Sequence, residues 1–508
     1  VTPLKVLFNG EQLTVADGAV LGDILHEHDS ECSVALIRPT TTEEKDTKAL
    51  EVKTTGGPVT VELNQSAAGI LGVLHAPLFV RWEDRYGIAF GAFRADFKPS
   101  RTPFLYERGD LVLGCAGYNP DQSFLFFSRE RHSADHGSQK EGGVIGKVVR
   151  GRGILDRFHS GDVIESITPL LAIADTTHAF TTKDFTFPLE NGMSIISKVV
   201  IFGHGFTRDS IDITNSEIVE HLLMGLEKKS FIVGRSSSTH IRDDHLINTD
   251  LAGGKSLPRR EGSVTIRTKG RSAGAIYINT TDLPRTTSHA SAGQVIQGIE
   301  LAQIAKAGEL FEVKLEPKRF DLVGLPVTDA KERSVDRGIE FNFDNIETDR
   351  VVVYQEPGTT LEVLAEGKVK LVTASYSEVV DIMLDDSSSP DTCAIFRKIT
   401  GLSLHAVGKI PFFFGFDDVY LFKPKIPTGI QIIPENTPND VVPANTLAMT
   451  NESRKGVGLV GVRLTDNSEF GPTSEPFEGT NIIGKLLNPD KLTGLKENSI
   501  IFIREVVK

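Results

Sequence analysis

The sequence predicts a mainly β protein with some helix: an N-terminal hairpin module followed by three or four small barrel units. Two observations carry the prediction. Short apolar runs bounded by glycine and polar turns recur along the chain, and one glycine pattern occurs twice without a gap. With 508 residues the chain is too long for one core, and 39% apolar with 24% charged residues describes a folded globular protein.

At the N-terminus, "LKVLFNGEQLTVADGAVLGDILHEH" (4–28) reads as strand, Asn9-Gly10 turn, strand, Asp17-Gly18 turn and helix, since Asn-Gly favours two-residue hairpin turns. This stretch resembles the β-grasp sulfur carriers ThiS and MoaD. Those carriers act through a free terminal Gly-Gly, whereas Gly56-Gly57 here runs on into Pro58 and a further strand. The resemblance therefore implies an interaction module over 1–52.

The stretch "EGGVIGKVVRGRGILDRFHSGD" (141–162) has the glycine content of a phosphate loop. A P-loop needs Gly, four residues, Gly-Lys and then Ser or Thr, because backbone amides hold the phosphates and the hydroxyl holds magnesium. Here Glu141 replaces the first glycine and Val148 the hydroxyl residue; near the C-terminus Gly479, Gly484 and Lys485 have the spacing, but Leu486 follows. Both are read as accidental. The pattern instead recurs: Gly146, Gly151, Ile154, Gly161 and Asp162 match Gly293, Gly298, Leu301, Gly308 and Glu309 in step. Weaker echoes surround Gly408 and Gly484, and an apolar strand precedes each copy: Ser123 to Phe127, Ala275 to Ile278, Cys393 to Phe396 and Leu459 to Val462. Bends and close backbone approach then account for the glycines.

"GDLVLGCAGYNPDQSFLFFSRE" followed by "GGVIGKVVRGRGILDRF" resembles the cyclophilin-like barrel, with "GGPVTVELNQSAAGILGVL" similar to its opening strand and first helix. The resemblance implies cyclophilin-like units at 53–175, 176–320 and 321–428 and a truncated one at 429–508. In the second, "TNSEIVEHLLMGLEKK" predicts a helix with capping-box spacing between Thr214 and Glu217 and with Ile218, Val219, Leu222, Leu223 and Leu226 on one face. Cyclophilins isomerise X-Pro bonds with an arginine on a groove wall, a glutamine beside it and an aromatic floor. The resemblance would place Gln122, Phe126 and Arg397 in those roles, but the arginine-bearing strand and Gln-Gly-Gly segment are not found together in any copy. The barrels are therefore read as binding modules without catalytic residues.

Other clusters have plainer readings. His132 and His136 are four apart among Ser, Gly and Lys, and His240 and His245 flank Asp243 and Asp244. Both are weak metal candidates, and the first pair is expected in an exposed loop. Cys32, Cys115 and Cys393 form no knuckle or disulfide framework, with Cys115 and Cys393 expected at comparable strand positions. "TTTEEKD" (40–46) and "DDSSSPD" (385–391) read as solvated tips, and "SLPRREGS" (256–263) is too short for a nucleic-acid surface.

A formal net charge of -13 opposes nucleic acid and anionic lipid. The apolar runs are broken before about 18 residues, so no membrane span or exported form is expected, and the odd, scattered cysteines suit a reducing cytoplasm. A sulfur-carrier-like head followed by "GGVIGKVV", "HASAGQVIQGIELA" and "GTNIIGKLL" resembles the methanogenesis marker protein 3 family. That resemblance implies a non-catalytic scaffold in the ATP-dependent activation of methyl-coenzyme M reductase in methanogenic archaea. The implied partners are that reductase, methanogenesis marker proteins 7 and 17 and an ATP-binding-cassette ATPase. The partner complex, not this chain, would hold the nickel tetrapyrrole F430, iron-sulfur clusters and ATP. The alternative reading is a peptidyl-prolyl isomerase or chaperone acting on a partner.

Overall fold

In the computed structural model all residues are described except 1–2, 40–47, 66–68, 70, 140, 171–173, 208–209, 248, 250, 252, 346, 348, 428–429, 454–456 and 507–508. The loop expected at 40–46 lies outside the described residues, as does most of the helix expected after Leu63. The chain divides into two units, Val1–Arg319 and Phe320–Lys508.

The first unit begins with a five-stranded mixed sheet. Its strands are Leu4–Phe8, Glu11–Val15, Val34–Pro39, Ala174–Thr182 and Ser194–Ile196, in the spatial order second, first, fifth, third, fourth. Leu4–Phe8 runs parallel to Ser194–Ile196, and the other pairs are antiparallel. Asn9 (φ 49°) and Gly10 (φ 87°) make the two-residue hairpin turn, where both residues must take positive φ. The expected helix is a single 3-10 turn, Leu21–Asp23. The sheet is thus completed by residues from beyond 170, and the boundary at 52 falls inside the next strand, Ala49–Thr54.

Between the third and fourth strands of that sheet is inserted a closed eight-stranded barrel, residues 49–170. It fills with Val59, Val61, Ile88, Phe90, Leu125, Phe127, Val148 and Ile164 from its strands, where alternate residues face inward, and with Ile154 from the 3-10 turn Arg152–Asp156. A further eight-stranded sheet covers 198–316, and its two end strands, Ser230–Ile232 and Arg235–Ser236, are almost consecutive in sequence. The second unit contains a three-stranded sheet with helices (320–375) and a closed seven-stranded barrel (379–505).

The eight-stranded sheet of 198–316, the central sheet, and the C-terminal barrel share one strand order. Around the central sheet the strands run Leu310–Glu316, Lys198–Gly203, His289–Gln297, Ser263–Arg267, Ile276–Asn279, His240–Asp243; around the C-terminal barrel Ile500–Glu505, Val379–Leu384, Thr480–Leu486, Thr446–Thr450, Val460–Arg463, Val419–Phe422 follow the same order and directions. Gly146, Gly293 and Gly484 occupy one position in the three modules. Each abuts a bulge, and a Cβ on each would meet a facing carbonyl oxygen: Glu62 O at 2.5 Å, Phe202 O at 2.7 Å and Met383 O at 2.1 Å. The glycines mark the closest approach of two strands, repeated three times.

Several expectations are corrected. Residues 379–505 form one barrel, so no boundary falls at 428/429, and Gly408 does not take the repeated glycine's place. Cys393 to Phe396 lies in the helix Pro390–Thr400, with Pro390 in its first turn and Gly401 (φ 86°) closing it, so Cys393 and Cys115 are not equivalent. The helix Ser216–Gly225 starts at Asn215 without the Thr214 capping box; Thr214 bonds Asp212, while Asn215 bonds Lys255 and Ser291. Ser389, within the tip expected at 385–391, is fully buried.

Candidate functional site

On the first barrel, the strand Leu78–Glu83 meets Gly87–Phe93 with a one-residue slip between Val80 and Trp82, which leaves Arg81 unpaired. A second slip lies between Ser123 and Phe124, opposite Ala92. Bulges re-aim side chains. Arg81 Nη1 donates to Gln122 Oε1 at 3.0 Å at the exposed rim of the barrel. Gln122 closes a 3-10 turn, Pro120–Gln122, whose Asn119 side chain accepts from Asp121 N.

Sequence reasoning found Gln122 and missed Arg81, although "LFVRWEDRYG" carries the signal of a strand running into a polar turn. Arg397, the arginine it suggested, is in the other unit and on a helix. It makes two-pronged bonds to Glu505 (2.8 and 2.6 Å) and Asp386 (2.7 and 2.6 Å). These carboxylates raise its pKa and engage all three of its nitrogens in an ion-pair network within the second unit.

Trp82, Phe124 and Phe126 stand on the outer face of the barrel, and a ribbon of Phe104–Tyr106 paired with His132–Ala134 covers them. Phe126 is fully buried, with Trp82 stacked on it at 5.2 Å and on His136 at 5.9 Å. Tyr106 Oη donates to Gly142 O at 2.9 Å and fixes the ribbon. His132 and His136 are therefore packed among rings rather than exposed, with Nε2 atoms 3.2 Å apart in a ring-to-ring hydrogen bond. Burial, then His132, pushes the His136 pKa down to about 4.

The second histidine cluster does not converge. His240 lies tilted against Tyr277 with ring centroids 5.1 Å apart, and burial lowers its pKa. His245 Nδ1 pairs with buried Asp243, while Asp244 binds Arg242 at 2.6 Å. Among the described residues no group of three or more His, Cys, Asp or Glu is placed to hold a metal ion. Burial pushes the Cys32 thiol up to about 11 and Cys393 up to about 12, and raises Cys115, which favours the protonated thiol at all three.

The glycine-rich stretches of the first two copies face one another across a cavity of about 60 Å³. Two ion pairs stand on its wall, Arg150 with Glu300 at 2.7 Å and Arg152 with Glu261 at 3.1 Å, while Arg150 Nη2 is buried without a hydrogen-bond partner. That volume suits a few waters and is far too small for a nucleotide.

The strand register transfers the site to the C-terminal barrel. Counting from Gly146 and Gly484, Phe413 takes the place of Arg81, Phe414 that of Trp82 and Gly461 that of Phe126. Residues 380–506, this same barrel, match a family described as "Putative peptidyl-prolyl cis-trans isomerase domain". Among solved structures, the cyclophilin AquaCyp293 from Hirschia baltica aligns with 30% of this chain and 83% of its own length, at 11% identity and a TM-score of 0.20.

These features define a mainly β protein of repeated barrels, one of them related to an isomerase-domain family. Over 522 residues the chain is 33% identical to a UPF0288 protein of Methanosarcina barkeri, covering 99% of this chain and 98% of the relative. A UPF0288 protein of Methanothermobacter thermautotrophicus is 31% identical, over 98% and 97%. The chain belongs to the UPF0288 family of methanogens. No helix of the described residues is long and apolar enough to cross a membrane.

Proposed function

We propose that this chain is a non-catalytic assembly subunit of the ATP-dependent machinery that activates methyl-coenzyme M reductase in methanogens. One observation carries the non-catalytic part: the parts of an isomerase groove are divided between barrels. The barrel with the Arg81–Gln122 pair has its aromatic face covered by its own ribbon. The barrel matched to the isomerase family leaves its rings open but has Phe413 in the arginine's place. Among the described residues neither barrel combines an open ring face with an arginine at the position of Arg81, which favours binding over turnover.

The methanogen sources of the relatives support the rest of the reading. In it, the family is that of methanogenesis marker protein 3 and the chain works in the cytoplasm. Its partners are the reductase, marker proteins 7 and 17 and an ATP-binding-cassette ATPase. F430, iron-sulfur clusters and ATP belong to those partners, and this chain binds no cofactor of its own. The N-terminal sheet serves as a β-grasp docking module, a reading supported by its strand order and its parallel central pair. Tagged full-length chain, recovered from methanogen extract under reducing anaerobic conditions, should bring the reductase with it.

The second reading, a peptidyl-prolyl isomerase or chaperone, is favoured by the 3.0 Å contact between Arg81 and Gln122. A protease-coupled proline-peptide assay separates the two: turnover lost in Arg81→Ala and Gln122→Ala would establish the isomerase.

A further inference from the structure

The strand Val407–Phe416 is half enclosed. Val407–Pro411 pair with Ile500–Arg504, and Phe412 still exchanges backbone bonds with Asn498 and Ser499. Beyond it, Phe413 bulges out of register and Phe414–Phe416 keep a partner on one side only, the returning strand Val419–Phe422. The other edge of those four residues has no backbone partner among the described residues. Open edges of this kind accept an added strand unless something blocks them.

Among the described residues no backbone segment is bonded along this edge past the bulge at Phe413. Phe413, Phe414 and Phe416 are 44%, 42% and 39% exposed, with Phe414 stacked on Phe416 at 5.7 Å. Large exposed rings grouped on one strand mark interaction surfaces rather than scattered surface apolarity. The first barrel shows what such a position is built to receive. Trp82, in the place of Phe414, is covered by an extended ribbon whose His136 ring lies on it. On the C-terminal barrel the corresponding connection, 464–479, descends on Gly461 instead, where a Cβ would lie 2.5 Å from Pro472 O, and the Phe414 ring stays open.

Charge narrows the occupant. The Lys423 ammonium lies 5.1 Å from the centroid of Phe413, whereas Lys409, in the enclosed part of the strand, lies over Tyr354 at 5.9 Å; neither pairs with a carboxylate among the described residues. Asp417 and Asp418 lie at the hairpin tip, where Asp418 bonds Thr465. In a chain of net charge -13, a lysine without a carboxylate partner on the ring of an open edge favours an acidic guest.

We propose that Phe413–Phe416 is a docking edge for an extended acidic segment of a partner protein. The segment adds as a strand, places an apolar or ring side chain on Phe414 and sets a carboxylate against Lys423. This deepens the assembly reading and rests only on its binding role, not on the identity of the machinery.

The test uses the full chain and a fluorescein-labelled eight-residue peptide alternating Glu with Tyr and Val, followed by fluorescence anisotropy. Two control peptides carry Lys in place of Glu, or methyl groups on alternate backbone nitrogens. Saturable binding to the acidic peptide is expected, weakened about tenfold or more by either control and by Phe414→Ser or Lys423→Glu. Both substitutions are at exposed positions, and unchanged circular dichroism and melting confirm their folding. Absent binding, equal binding of all three peptides, or wild-type binding by Phe414→Ser would overturn the proposal. So would a concentration-dependent dimer in sedimentation that Phe414→Ser abolishes, which would assign the edge to a second copy. A failed reductase pull-down alongside successful peptide binding would reject the machinery and leave the edge intact.

Discussion

Arg81 and Gln122, 41 residues apart in sequence, meet through a 3.0 Å hydrogen bond because two neighbouring strands of the first barrel each slip by one residue beside them. The pair is exposed, so it holds little of the fold. Arg81→Ala should change unfolding free energy by no more than about 0.5 kcal/mol. In a proline-peptide assay the wild-type chain should match the uncatalysed rate, with Arg81→Ala indistinguishable from it.

Arg397 should behave in the opposite way. Removing it leaves Glu505 and Asp386 side by side without a counter-ion. Arg397→Ala should cost about 1–3 kcal/mol, and Arg397→Lys should recover only part, since an ammonium cannot reproduce two forked pairs. Scanning calorimetry of the full chain measures both.

The repeated glycine gives a steric prediction. Gly484 has φ 152°, and a Cβ there would lie 2.1 Å from Met383 O, a backbone atom that cannot move without shifting the strand. Gly484→Ala should cost more than about 2 kcal/mol. Gly338→Ala, at φ 65° with nothing within 4 Å, pays only the left-handed strain and should cost about 1 kcal/mol.

The pH dependence follows from two imidazoles. Burial, then His132, holds His136 down to about 4; burial, then Arg259 and Arg267, does the same to His289. In the unfolded chain both return to about 6.5. Between those values the unfolded state binds more protons, so their contribution is complete above about pH 6.5 and is lost as pH falls toward 4. Each loss should be on the order of 1–3 kcal/mol. Urea titrations at pH 7 and pH 4.5 should show a smaller drop for His136→Phe than for wild type.

Much of the fold was legible because glycine spacing is a local signal: Gly146 and Gly293 can be aligned by counting, and Asn9-Gly10 dictates its own turn. The run Cys393 to Phe396 misled because four apolar residues suit a strand or a buried helix equally well. Pro390 before it and Gly401 after it were the signals that decide for helix. The candidate site was less legible. Arg81 is aimed by a bulge, and His132 and His136 are buried by a ribbon that pairs across the chain with Phe104–Tyr106. Register slips and non-local pairing leave no periodic trace in sequence. The closure of 379–505 into one barrel likewise depends on the parallel pairing of Val379–Leu384 with Ile500–Glu505.

The central claim, that the chain assembles other proteins rather than turning over a substrate, is tested most directly by quantitative recovery of tagged full-length protein from methanogen extract under reducing anaerobic conditions. The account predicts that methyl-coenzyme M reductase is recovered in proportion to the tagged chain and is absent from an untagged control. Recovery of the chain alone would contradict it.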